Sequence, residues 1–155
     1  MSYLTPHASV LNTTTISIAS ANTVQLVTFD TNLVIKKTAH STSVNPSRVT
    51  VNEAGDYIVF ASLSVTASGA GKILDAWFRV NGSDVANSNI KVSIVNSNDQ
   101  KLVTATAVLT LTAGQYVELV MSGDSTTLSL LATAAGTSPT RPVTPSVILT
   151  LDKLS

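Results

Sequence analysis

At 155 residues the chain has the length of one domain, and its nine basic and nine acidic side chains give a formal net charge of zero. That balance leaves no basic face to displace counterions from nucleic acid and no polybasic anchor for a membrane surface. The absence of cysteine excludes disulfide frameworks, thiolate catalysis and Cys-ligated zinc.

The first 22 residues, MSYLTPHASVLNTTTISIASAN, are polar with scattered Tyr3, Leu4, Val10, Leu11, Ile16 and Ile18. They read as an N-terminal arm, residues 1–22, ahead of a folded domain, residues 23–155. An arm of this kind docks on a partner as an added strand, which makes Tyr3, Leu4, Val10, Ile16 and Ile18 candidate interface residues. The opening lacks a basic n-region and an apolar h-region, so no secretion signal is expected and synthesis in a cytosol is. The segments TVQLVTF and NLVIKK follow as short strand candidates.

From there the period is 2. Tyr57, Val59, Ala61, Leu63 and Val65 share one face of YIVFASLSVT; Leu74, Ala76, Phe78 and Val80 share one of ILDAWFRV; Ile90, Val92 and Ile94 share one of IKVSIV. The later runs place Val103, Ala105, Ala107, Leu109 and Leu111 together, then Val117, Leu119 and Met121, then Leu128, Leu130 and Ala132, and finally Val147, Leu149 and Leu151. Turn residues separate the runs. Asn81-Gly82 signals a two-residue hairpin. The motif Ala-Gly-x-Tyr occurs twice, at Gly55 and Gly114, and each copy reads as an equivalent corner whose Gly supplies a positive φ before a long strand. Eight or more short strands at this spacing, with no helical stripe, predict an all-β sandwich or barrel. Ser and Thr number 20 and 22 while charged residues are 12%, against about 25% in an ordinary soluble domain. Some strands are apolar on both sides, as with Ile58 and Phe60 opposite Tyr57 and Val59, and Ile148 opposite Val147 and Leu149. A second apolar face calls for a neighbouring subunit.

The segments VTVNEAGDYIVFASLSVT, AWFRVNGSDVANS and LTLTAGQYVELVM resemble the trimeric jelly-roll superfamily typified by the globular heads of complement's first component and by tumour necrosis factor. Members share a Gly-x-Tyr lead into a long strand, an Asn-Gly after an outer strand and a later Leu-x-x-Gly-x-x-Val. The resemblance runs from Val24 to Leu151, without the collagen-like stalk or the Phe- and Gly-rich ending of the animal heads. It implies a single jelly-roll domain assembled as a homotrimer. Small stalkless forms occur on bacterial spores and in bacterial viruses.

Reaction chemistry is not written in the chain. His7 and His40 lie in polar segments with no His-x-His or His-Glu spacing, and no Gly-x-Ser-x-Gly elbow marks a nucleophile. No enzyme activity and no cofactor is expected. Asn96 to Gln100 and Ser122 to Ser125 carry oxygen ligands of the type calcium takes, but turns use the same residues, and no metal is assigned. Asn12-Thr13-Thr14 and Asn81-Gly82-Ser83 match the N-glycosylation pattern by coincidence in a chain without a signal. Asp75, Trp77 and Arg79 share an outward face, with Trp77 and Arg79 either an interface anchor or a surface stack. Gly136 to Pro145 is a three-proline loop that presents Arg141 to a partner or simply connects two strands. The expected role is structural: a homotrimeric capsid decoration protein of a bacteriophage, in the virion, against the major capsid protein. The alternative is a receptor- or glycan-binding head module.

Overall fold

The structure, a computed structural model, describes residues 4–155. The strands are β1 (His7–Asn12), β2 (Ile16–Ser17), β3 (Gln25–Leu26), β4 (Thr31–Lys36), β5 (Thr38–Ala39), β6 (Val49–Val51), β7 (Gly55–Ala67) and β8 (Lys72–Val80). They continue as β9 (Ser83–Asp84), β10 (Ile90–Ile94), β11 (Gln100–Leu111), β12 (Tyr116–Gly123), β13 (Leu128–Leu130), β14 (Gly136–Thr137), β15 (Thr140–Arg141) and β16 (Val147–Lys153). All pairings are antiparallel, and no helix forms among the described residues.

Two sheets face each other. In the first, β7 is bonded along one edge to β11 and along the other to β16 and then β13; β16 continues to β1 and β1 to β4. In the second the order is β10, β8, β12, β6, β5, with β3 also on β12 and β9 on β8. The chain changes sheet between β6 and β7, β7 and β8, β10 and β11, and β11 and β12. This alternation between sheets gives a jelly-roll sandwich.

The core is what the period-2 pattern requires. Residues Tyr57, Val59, Ala61, Leu63 and Val65 of β7 are all fully buried, facing Leu74, Ala76 and Phe78 of β8 and Val117, Leu119 and Met121 of β12. Side chains that alternate across a pleat turn every second residue inward, and Val and Thr suit the half-buried strand. Val80, Ile90, Val103 and Ala107 pack at the margin of this core.

The arm expected over residues 1–22 is corrected. Residues 7–12 form β1, an interior strand of the first sheet, bonded to β16 on one side and β4 on the other. Val10 is 0% and Ile18 2% exposed, so both are core residues and neither is free for an interface. Ile16 is half-buried against the same core. The domain therefore does not begin at residue 23. The reason is physical: β1 supplies the backbone partners that β16 needs along its outer edge, and the Val10 side chain would lie uncovered in an arm. Leu4 is exposed, and Tyr3 lies outside the described residues.

Candidate assembly face and a tryptophan pocket

The two Ala-Gly-x-Tyr copies are neighbours in space. Gly55 pairs with Leu111 at the open end of the β7–β11 ladder. The Gly114 N–H donates to the Val51 carbonyl at 2.8 Å, and the Val51 N–H donates to the Gln115 carbonyl at 2.9 Å. Both copies thus stand where the chain passes from one sheet to the other, tied to each other through Val51. Both glycines have a positive φ, 156° at Gly55 and 90° at Gly114, as the corner reading expects; the tyrosines that follow them differ. The Tyr57 ring is fully buried and its hydroxyl donates to the Glu53 carbonyl at 2.8 Å. Tyr116 is half-buried and lies under the Arg48 guanidinium, 4.3 Å from the ring centroid. At Gly114 φ is 90°, whereas Asn81 and Gly82 have φ of 49° and 81° and join Val80 to Ser83. The Asn81 side-chain oxygen accepts from the Tyr116 N–H at 2.9 Å, so this hairpin is also bound to the second corner.

The outer face of the first sheet is built from the register of β11, β7, β16, β1 and β4. Thr106, Phe60, Thr150, Ser9 and Val34 form one cross-strand row. Thr104, Ser62, Ile148 and Leu11 form the next, and Leu102 beside Ser64 a third. None of these residues is charged. Charge enters in the rows on the other side, where Val108 and Ile58 are followed by Asp152, His7 and Lys36, and Thr110 lies opposite Asp56. Leu102 is 76%, Val108 61% and Phe60 40% exposed. Ser9 and Thr150 hydroxyls lie 3.3 Å apart across the strands, a contact that spends part of their polarity within the face. Phe60 and Leu102 in this hydroxyl-rich, uncharged field, with Val108 at its border, form the kind of patch that marks an interaction site.

The outer face of the second sheet is different. Trp77, half-buried on β8, donates its indole N–H to Asp84 Oδ1 at 2.8 Å, and Arg79 Nε donates to the same oxygen at 2.6 Å. A stack of Arg79 on Trp77 is therefore not what holds this face; a shared carboxylate is. The two hydrogen bonds, from Arg79 first and Trp77 second, hold Asp84 below the ordinary carboxylate range. Asp75 accepts from Asn89 Nδ2 at 2.9 Å and lies 3.5 Å from Lys91 Nζ. Asp75, Trp77, Asp84 and Asn89, together with Val85 and Ser122, line an open pocket. Asp84 ends the short β9 after the Asn-Gly turn and Asn89 lies in the loop beyond it, and neither carries a pattern of its own in the sequence.

Also unmarked is Glu118, the lone acid in YVELVM. It is 3% exposed, accepts from the Ser47 hydroxyl at 2.5 Å, and lies 3.9 Å from Arg48. The loop before β6 covers it. The remaining candidates stand apart. Arg141 is exposed, but its guanidinium turns back to donate to the Ser138 and Pro139 carbonyls at 3.3 and 3.2 Å, closing its own β14–β15 hairpin. Asn96 and Asp99 bond to each other across a turn, and Asp124 accepts from the Ile73 N–H. Among the described residues no group of three His, Asp or Glu gathers. Asn12 is buried, donating to the Thr28 carbonyl and accepting from Thr14, so its glycosylation pattern is not presented at the surface.

No protein-family model and no curated protein matches the chain. Among solved structures it is similar to the globular domain of zebrafish complement 1qA protein, with a TM-score of 0.57 at 18% identity over 98% of each chain. That likeness shows the fold, a jelly roll. It also takes in the N-terminal strand, which a match beginning at Val24 would leave out.

Proposed function

We propose that the protein is a structural module that assembles as a homotrimer through the outer face of its first sheet, and that the trimer decorates a bacteriophage capsid. The observation that carries the assembly is the uncharged field around Phe60 and Leu102, with the exposed Val108 at its border. Leaving such side chains in water costs about 25 cal/mol for each Å² of apolar area, and a like surface of a second copy removes that cost. The shared jelly-roll fold supports three copies as the closed arrangement.

The place of the trimer in a virion, assembled in a host cytoplasm against the major capsid protein, has its own support. That support is the low charge content, the zero net charge, and a surface with few groups to repel a neighbouring shell. It acts by surface complementarity and not by catalysis. Co-sedimentation with undecorated shells tests this. The protein should pellet with shells at a fixed, saturating number of copies per shell. Protein left wholly in the supernatant would remove the capsid reading while leaving the trimer untouched.

A further inference from the structure

The pocket around Trp77 lies on the opposite side of the sandwich from the assembly face, so trimerisation leaves it in solvent. We infer that it is a binding site for a neutral carbohydrate. Three features of the lining select that chemistry.

The first is charge balance. Asp84 is paired with Arg79 and Asp75 with Lys91. A cation would meet carboxylates that are already compensated, and an anion would meet two carboxylates. A neutral ligand meets neither penalty. The second is acceptor capacity. The bonds described for each carboxylate fall on Oδ1, which leaves Oδ2 of both as strong acceptors for neutral hydroxyl donors. The Ser122 hydroxyl adds a group that both donates and accepts. The third is the apolar wall. Trp77 and Val85 line the same pocket, and an indole packs against the C–H face of a sugar ring while its polar neighbours take the hydroxyls. The Trp77 N–H bond to Asp84 and the Asn89 bond to Asp75 fix these groups before any ligand arrives, which lowers the entropy lost on binding. The pocket is open, so it suits one or two residues of an exposed glycan chain more than an enclosed metabolite.

Trp77 is the chain's sole tryptophan, so its fluorescence reports this pocket alone. The test applies the full-length protein to an array of neutral gluco-, galacto-, manno- and N-acetylated oligosaccharides beside sialylated and sulfated ones, then titrates the best ligand against Trp77 emission. At least one neutral glycan should bind and shift the emission saturably. D75N should weaken it tenfold or more, and W77A should abolish array binding. Circular dichroism and mass of D75N should match the parent, which keeps the test valid if W77A misfolds. Binding confined to charged glycans, an emission change with calcium but with no glycan, no binding at all, or binding undiminished in D75N would each overturn the inference.

Discussion

Gly114 shows how one backbone angle holds a corner. Its φ of 90° lies where a side chain is strained, yet nothing stands within 4 Å of the place a Cβ would occupy. The cost of Gly114→Ala is therefore conformational and not steric, and should be about 1 kcal/mol, read as a lowered melting temperature. At Gly55 an added Cβ would also meet the Lys153 side chain, so the two Ala variants differ in mechanism. Asp30 acts on pH dependence. It accepts from Thr13 N–H at 3.0 Å, from the Thr13 hydroxyl at 2.8 Å and from the Thr31 hydroxyl at 2.8 Å, clasping the turn after β1 to the start of β4. Burial pushes its carboxyl up, but these hydrogen bonds outweigh burial and leave it below the ordinary value. A depressed folded pKa contributes stability that is present above the unfolded value, about pH 4, and is lost as pH falls through the folded value. D30N should thus melt below the parent at pH 7, with the gap closing below about pH 4; a gap constant from pH 7 to 3 would contradict this.

At the scale of elements, the N-terminal strand decides the outcome. Because β1 lies between β16 and β4 and buries Ala8 and Val10, removal of residues 1–12 exposes the edge of β16 and opens the core. The truncated chain should lose its cooperative melt and its native circular dichroism, whereas a true arm would be dispensable; a folded truncated chain would refute the assignment. The strands that were legible in the sequence, β7, β8 and β11, are long and alternate buried with more exposed residues along most of their length. β1 was not, since Leu11 and Asn12 are buried on successive positions and blur the period. Its partner β16 is also far along the chain, and no local pattern reports such a pairing. The same holds for Glu118, hidden by a loop about 70 residues earlier in the chain, and for Trp77, whose neighbours Asp84 and Asn89 come from a two-residue strand and a loop that alternation does not describe.

At the scale of the whole molecule the two outer faces differ: one carries an uncharged field with exposed Phe60 and Leu102 and with charge confined to its margin, the other carries paired charges around an indole. The central claim is that the first is buried between copies. A lysine introduced at Phe60 or Val108 points outward, touches none of the core, and would place unpaired charge inside that interface, at a cost of several kcal/mol. The direct measurement is the solution mass of the parent and of F60K/V108K at micromolar concentration, by size exclusion with light scattering. The account predicts three times the chain mass for the parent and a single chain mass, with unchanged circular dichroism, for the double variant. A monomeric parent, or a variant that is still trimeric, would contradict it.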